Sequence, residues 1–121
     1  MLQEAPAKKR ILVVDRDSMD TNRLARELPE DRFAITRAES AEKAMYLVRN
    51  RDYDCALIEM DSVDVEPLRL LRSIRRECPM VKVIMMTDYG DEEMWVDVLS
   101  EGADDLLAKP VGLRDIQAKL F

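Results

Sequence analysis

Short apolar runs alternate with amphipathic segments along the whole chain, and this alternation limits the possible folds more than any other feature. ILVV at 11–14 is a run of the length and β-branched character of a fully buried strand. The segment from Ser18 to Leu28 follows it, with Met19, Leu24 and Leu28 as expected inward positions of a helix. Strict alternation of this kind with short connections predicts a parallel sheet with helices on both faces.

The same pattern predicts five strands and five helices. The expected strands are 11–14, 33–38, a run ending at Glu59, 81–86 and 105–108. The expected helices are 18–28, a segment capped by Ser40, a segment starting near Pro67, 90–101 and 113–120. The predicted class is therefore α/β, with a doubly wound, five-stranded parallel sheet in a single domain.

Composition excludes several classes of function. The chain has 121 residues and a net charge of −6, which argues against a nucleic-acid surface on this domain, because phosphate contacts need clustered Lys and Arg. No apolar run approaches the roughly 20 residues of a membrane helix. Residues 1–8 have charges without an apolar core, so they are expected to be a disordered leader before a domain at 9–121.

Cysteine and histidine usage narrows the chemistry further. Cys55 and Cys78 show no metal-binding spacing, which favours two reduced thiols in a cytoplasmic protein. The chain has no histidine, so zinc sites and histidine-dependent catalysis are excluded. The domain is expected not to be an enzyme.

Polar side chains follow the apolar strands and should meet at one edge of the sheet, because parallel strands end on the same side. They are Asp15 to Asp17, Glu59 to Asp61, Thr87 with Asp88, and Lys109. Acids that hold Mg²⁺, one nucleophilic carboxylate, a hydroxyl and an ammonium would together suit a phosphoryl group. Any one of them alone is better explained as a polar residue leaving a strand. Their convergence favours a site.

Four stretches in order carry a resemblance to a known family. ILVVD (11–15), YDCALIEM (53–60), VIMMTDYG (83–90) and GADDLLAKP (102–110) resemble the receiver domain of bacterial two-component response regulators. The resemblance extends from Lys9 to about Leu120. It implies a flavodoxin-like (βα)5 fold with strand order 2-1-3-4-5. It also implies cytoplasmic signalling by phosphoryl transfer from a sensor kinase to an aspartate, with Mg²⁺ held by an acidic pair.

The match to the family's site is incomplete. Asp15, Thr87 and Lys109 agree with it, whereas Glu59 stands at the phosphoacceptor and Arg16 at the second acid of the metal-binding pair. Three further departures are Val63 for a proline, Asp88 beside the threonine, and Leu106 for the aromatic switch residue. Metal binding, expected from Asp15 and Asp61, should be weak, because Arg16 removes a ligand and adds a positive charge.

Two interpretations of the pocket stay open. In the first, the domain works without phosphorylation, Arg16 serves as a counter-ion for Asp15, Glu59 or Asp61, and no metal cofactor is needed. Glu59 is then either a static ion pair with Arg16 or Lys109, or a partial mimic of the activated state. In the second, Asp15, Asp17 and Asp61 still bind Mg²⁺ at low affinity, and the domain accepts phosphate from a histidine kinase.

The resemblance also implies a protein-interaction surface on the fourth helix, fifth strand and fifth helix. Met94, Trp95 and Leu99 are candidates for it, and an output domain, a sensor kinase or a second copy are candidate partners. The short last helix favours a receiver portion of a longer regulator. A nucleotide-binding domain of the same topology is excluded, because RDSMDT after the first strand has no glycine.

Overall fold

The structure is a computed structural model that describes residues 7–61, 66–88 and 90–120. Val63 and most of the expected leader lie outside these ranges. The elements in order are β1 (Lys9–Val14), α1 (Met19–Glu27), β2 (Phe33–Ala38), α2 (Ala41–Asn50), β3 (Cys55–Glu59), α3 (Pro67–Glu77), β4 (Lys82–Thr87), α4 (Glu92–Ser100), β5 (Asp105–Ala108) and α5 (Leu113–Leu120).

The five strands form one parallel sheet in the order β2-β1-β3-β4-β5, which confirms the predicted topology. The strand order reverses next to β1, since β2 lies on one side of it and β3 on the other. In open sheets of this kind, ligands bind beyond the carboxyl ends of the strands near such a reversal. The register places Val14 of β1 beside Ile58 of β3, so the residues that follow them emerge at the same edge.

Alternate residues of the central strands enter two apolar clusters, one on each face of the sheet. Leu12 and Ile58 belong to the cluster under α2, α3 and α4, whereas Ile11 and Leu57 belong to the cluster under α1 and α5. All four side chains are fully buried. Burial on both faces explains why these strands are continuous apolar runs. No helix in the described part of the chain is long and apolar enough to cross a membrane.

Side-chain caps determine where α2 and α4 begin. The Ser40 hydroxyl accepts a hydrogen bond from the backbone N–H of Lys43, which confirms the predicted cap of α2. The Asp91 carboxylate caps α4 in the same way, which is why that helix begins at Glu92 rather than at Gly90 as predicted. The prediction that Met19 faces the core is wrong. Met19 is 71% exposed because it is the first residue of α1 and lies beside the carboxyl edge of the sheet.

Candidate functional site

The strand ends bring the predicted residues together at the carboxyl edge. Asp15 directly follows β1, Glu59 is the last residue of β3, Thr87 is the last residue of β4, and Lys109 follows β5. Asp15, Glu59 and Thr87 are buried, with 0%, 3% and 1% exposure. Buried polar side chains need partners, so their contacts indicate what this edge can do.

Glu59 and Lys109 form an ion pair. Lys109 Nζ lies 2.8 Å from Glu59 Oε1, and the same oxygen accepts a 3.0 Å hydrogen bond from the backbone N–H of Asp61. Lys109 also lies 3.5 Å from Asp20 Oδ2 and 3.7 Å from Asp88 Oδ2. The single ammonium of Lys109 therefore lies within ion-pair distance of three carboxylates. Lys109 follows a strand and precedes Pro110 across a cis peptide bond.

The charges of this group shift one another's pKa values. Burial raises the pKa of Glu59, and the hydrogen bond from Lys109 opposes that rise. Burial alone would lower the pKa of Lys109, but the Glu59 hydrogen bond and the charges of Asp20, Glu59 and Asp88 outweigh it and raise that pKa. Lys109 is therefore a permanent cation in this pocket at neutral pH.

Asp15 is held on one side only. Its Oδ2 accepts hydrogen bonds from the backbone N–H of Thr21 at 3.0 Å and from the Thr21 hydroxyl at 3.2 Å. Its Oδ1 is buried and has no hydrogen-bond partner among the described residues. Such an atom is unusual, because a buried carboxylate oxygen loses its hydration without replacement.

Asp20, in the first turn of α1, is a site residue that the sequence analysis missed. One carboxylate oxygen from each of Asp15, Asp20 and Glu59 lies within 4.8 Å of the others, an arrangement that could hold a metal ion. Burial raises the pKa of Asp20 against the opposing charge of Lys109. Asp17 and Asp61, both expected near a metal, are not part of this group. The one available signal for Asp20 was its position in the first turn of the helix that follows β1.

Arg16 is exposed and makes no ion pair with any residue in the described ranges. The expected pairing of Arg16 with Asp15, Glu59 or Asp61 is therefore not found there, and Lys109 is the partner of Glu59. The loop backbone is instead held by Arg37 of β2. Its guanidinium donates a 2.9 Å hydrogen bond to the Asp15 carbonyl and another to the Arg16 carbonyl.

The outer acids lie at the rim of the pocket. Asp17 is exposed, and a hydrogen bond from the backbone N–H of Met19 lowers its pKa. Asp61 is also exposed, and its carboxylate accepts a 3.3 Å hydrogen bond from the backbone N–H of Asp88. The cavity between these groups has a volume of about 360 Å³ and is lined by Asp17, Met19, Asp20, Glu59, Asp88, Lys109 and Pro110.

A second, more apolar cavity lies between α4 and β5. Its volume is about 590 Å³, and its lining residues are Thr87, Gly90, Asp91, Glu92, Trp95, Val96, Leu106 and Ala108. Leu106 is 5% exposed and packs in the core, while Trp95 and Val96 are 44% and 63% exposed. Of the other predicted surface residues, Leu99 is 37% exposed and Met94 packs partly against the core. Because Thr87 lines this cavity, the cavity reaches the carboxyl edge.

Comparisons with known proteins all identify the same family. The model of the response regulator receiver domain matches residues 11–121. The chain is 33% identical over 113 residues to the acid tolerance regulatory protein ActR of Rhizobium meliloti. It is 29% identical over 118 residues to the photosynthetic apparatus regulatory protein RegA of Rhodobacter capsulatus. These alignments cover 93% and 98% of the chain but only 58% and 64% of the two relatives.

Solved structures agree on the architecture. A CheY-like receiver domain protein from Methanospirillum hungatei superposes with a TM-score of 0.82 at 31% identity, covering 93% of this chain and 90% of that one. The response regulator TrrA of Thermotoga maritima, solved in complex with Mg²⁺ and BeF, gives a TM-score of 0.77 at 28% identity. That superposition covers 92% of this chain and 95% of that one.

Proposed function

Since this chain belongs to the response regulator receiver domain family, we propose that it is a regulatory module that works without phosphorylation at Glu59. The observation that carries this proposal is the buried ion pair between Glu59 and Lys109, with 2.8 Å between Oε1 and Nζ. The acceptor position is occupied by a carboxylate whose Oε1 already contacts the ammonium and a backbone N–H. Both donors are therefore engaged without an added phosphoryl group.

The charge of the pocket supports the same proposal. Glu59 carries a single negative charge, whereas a phosphoryl group brings about −1.5 to −2 at neutral pH. The glutamate thus holds Lys109 with less charge than a phosphoryl group would. A static ion pair is enough to account for this contact. Partial mimicry of the activated state would require, in addition, that the ion pair shift the domain toward a second conformation.

The alternative is a receiver that still accepts phosphate from a histidine kinase. The observation in its favour is the group of Asp15, Asp20 and Glu59, whose carboxylates suit a divalent cation. The buried Oδ1 of Asp15 fits such an ion, because no residue that the structure describes donates a hydrogen bond to it. When bound, a divalent ion would neutralise charge on transferring phosphoryl oxygens.

Intact-mass measurement after exposure to Mg²⁺ and acetyl phosphate separates the two. We expect no adduct on the native chain and an adduct on Arg16→Asp/Glu59→Asp, which restores both family carboxylates. Glu59→Asp alone tests whether Arg16 also disables the pocket. A Mg²⁺-dependent adduct of one phosphoryl group on the native chain, lost in Glu59→Gln, would overturn the proposal.

The proposed partners are proteins of a cytoplasmic signalling system, bound at the α4–β5 face. Trp95 and Val96 offer an exposed apolar centre, and Asp91 and Glu92 line the same cavity. This arrangement fits a partner surface with an apolar centre and basic rim, on an output domain or a sensor kinase. A homodimer in which two α4 helices meet is less favourable, since α4 has acidic residues and no basic one.

Sedimentation equilibrium at low and high salt tests the choice between these partners. We expect a monomer at low salt, because electrostatic repulsion opposes contact between two acidic helices, and high salt shows whether the apolar centre associates once that repulsion is screened. A dimer that Trp95→Ser disrupts would instead assign the face to self-association.

The net charge of −6 supports the further proposal that this domain does not bind nucleic acid.

A further inference from the structure

We propose that a cavity at the amino edge of the sheet, where the parallel strands begin, binds a small carboxylate with a short apolar body. The cavity has a volume of about 240 Å³. Two of its lining residues precede strands, Tyr53 before β3 and Val81 before β4. It therefore lies at the opposite end of the strands from the pocket of Glu59 and Lys109, and a ligand bound there does not touch that pocket.

The first support is the hydroxyl of Tyr53. The Tyr53 side chain lines the cavity and is 7% exposed, and its hydroxyl is buried without a hydrogen-bond partner among the residues that the structure describes. The guanidinium of Arg10 lies over the ring, 5.3 Å from its centre, where it contacts the aromatic face. A buried hydroxyl without a partner is costly, so this group is available to a ligand that accepts a hydrogen bond.

The second support is Arg51, which lines the same cavity. Its side chain is exposed and makes no ion pair with any residue in the described ranges. The backbone of Arg51 is extended, with φ −143° and ψ 156°. Side chains two residues apart on an extended backbone point to the same side, so Arg51 and Tyr53 can reach one ligand.

The chemistry of the wall selects the class of ligand. A guanidinium and a phenol hydroxyl both donate hydrogen bonds, and a carboxylate accepts from both. Val48, Pro79 and Val81 supply apolar surface to the same cavity, which suits a short aliphatic chain. The volume lies below the roughly 300 to 1,000 Å³ of pockets for drug-sized molecules, so the ligand must be small.

Titration of the native chain with butyrate tests the site, with amide chemical shifts followed by NMR at constant ionic strength. We expect a Kd of about 1 mM, because a ligand with so few atoms gains little free energy. Butylamine and 1-butanol are matched probes of the same chain length, and both should bind at least about fivefold more weakly, since neither carries the charge that Arg51 attracts.

Cys78 gives an independent signal for occupancy. Its thiol lines the cavity and donates a 3.4 Å hydrogen bond to the carbonyl of Val48, which lines the cavity as well. Butyrate in the cavity should therefore slow the modification of Cys78 by iodoacetamide, and 1-butanol at the same concentration should slow it less.

Tyr53→Phe separates a ligand-binding hydroxyl from a structural one. We expect butyrate binding to weaken by about tenfold, because a hydrogen bond to a charged group is lost. Without butyrate, the urea midpoint of this variant should stay the same or rise, since a buried hydroxyl without a partner has been removed. A structural hydroxyl would instead lower the midpoint.

Charge variants at the mouth of the cavity complete the test. Arg51→Gln should weaken butyrate binding by about threefold, since exposed ion pairs are weak. Asp52 also lines the cavity, and Asp52→Asn should strengthen binding or leave it unchanged, because it removes a negative charge near the ligand. The matched control is Arg26→Gln at an exposed arginine of α1, which should change Kd by less than about 1.5-fold.

Four results would overturn the site. They are no butyrate binding to the native chain, equal binding of 1-butanol, unchanged binding in Tyr53→Phe, and a lowered urea midpoint in Tyr53→Phe without butyrate. Each leaves the proposed function standing, because that proposal concerns the opposite edge of the sheet. A phosphoryl adduct on the native chain would likewise overturn the proposed function and leave this site standing.

Discussion

At the scale of single residues, the pocket is defined by how its charges are distributed between buried and exposed positions. Glu59 and Asp15 are buried, whereas Arg16 and Asp17 are exposed although they neighbour Asp15 in the chain. Lys109 lies between these groups, with a side chain 15% exposed and in contact with Glu59. The ammonium therefore compensates the desolvation of the acceptor-position carboxylate, and neither residue can be changed alone without cost.

Replacing Lys109 by methionine should destabilise the domain. Removing one partner of a fully buried ion pair costs about 3 to 5 kcal/mol, and the partial exposure of Lys109 lowers our expectation to about 2 to 3 kcal/mol. Urea unfolding in the presence of EDTA measures the change without interference from metal ions. The control is Lys109→Met/Glu59→Gln, in which the buried Glu59 charge is not stranded, so part of the stability should return although Asp20 still loses its contact with Lys109. An unchanged free energy of unfolding in Lys109→Met would contradict a stabilising pair.

The two cysteines should differ in reactivity. Cys55 is fully buried in β3, and burial raises the pKa of its thiol to about 12. Cys78 is half-buried at the end of α3, and burial raises its pKa as well. Only the thiolate reacts with iodoacetamide, so at pH 8 both thiols react slowly, and the rate rises with pH. We expect Cys78 to be modified first, and Cys55 in Cys78→Ser to react only when urea unfolds the chain. Rapid labelling of Cys55 in the folded variant would show an open strand.

The order of polar residues and apolar strands along the sequence predicted part of this site. Asp15, Glu59, Thr87 and Lys109 follow apolar strands, so the topology of a parallel sheet brings them together. Asp20 was missed because it lies on a helix, and the sequence does not reveal which side chains in the first turn of α1 point into the pocket. The partner of Glu59 was left open between Arg16 and Lys109, since side-chain direction in a loop depends on contacts such as those of Arg37.

At the scale of elements, Arg75 joins the carboxyl end of α3 to the loops around β4 and β5. Its guanidinium donates hydrogen bonds to the carbonyls of Gly102 and Val81 and to the carboxylate of Asp104, at 2.9, 2.7 and 2.6 Å. Asp104 in turn accepts from the backbone N–H of Val83 at 2.8 Å. These contacts fix the loop that follows α4.

Arg75→Gln should therefore cost more than Arg72→Gln, although both arginines lie on α3. Arg75 satisfies several backbone carbonyls, and we expect a loss of about 1.5 to 3 kcal/mol when the charged donor is removed. Arg72 contacts Glu101 in an exposed pair, so its replacement should cost less than about 1 kcal/mol. Urea unfolding of the two variants side by side makes the comparison. Equal costs would mean that the backbone contacts of Arg75 do not stabilise the loop.

The elements themselves were largely predictable. The bounds of β5 and α5 agree with the sequence analysis, because turn residues separate them from their neighbours. β4 is shifted by one residue to Lys82–Thr87, since the predicted start at Val81 precedes the paired segment. The exposed side of α4 was less predictable. Helical spacing predicts that Val98 packs on the sheet, and it is fully buried, but the same spacing leaves Trp95, which is 44% exposed, open between the core and the surface.

At the scale of the whole molecule, both apolar clusters depend on the same five strands. Leu71 of α3 is fully buried on one face of the sheet, and Ile116 of α5 is fully buried on the other. Every central strand buries side chains on both faces of the sheet. Loss of one cluster would therefore also expose the strands that form the other cluster. The carboxyl-edge pocket is thus held by both clusters, with Asp20 on the α1 side of the sheet.

This dependence predicts a single unfolding transition, including for variants weakened on one face. Leu71→Ala and Ile116→Ala should each lower the free energy of unfolding by about 2 to 4 kcal/mol, because each leaves a cavity in a packed cluster. Circular dichroism reports all helices, and Trp95 fluorescence reports α4 alone, so the two signals should have the same urea midpoint in every variant. The surface variant Met80→Ala, at a side chain 92% exposed, should leave that midpoint unchanged. Separate midpoints for the two signals in Ile116→Ala would mean that the α1–α5 face unfolds first. The carboxylates of Asp15, Asp20 and Glu59 would then not be held in fixed positions relative to one another.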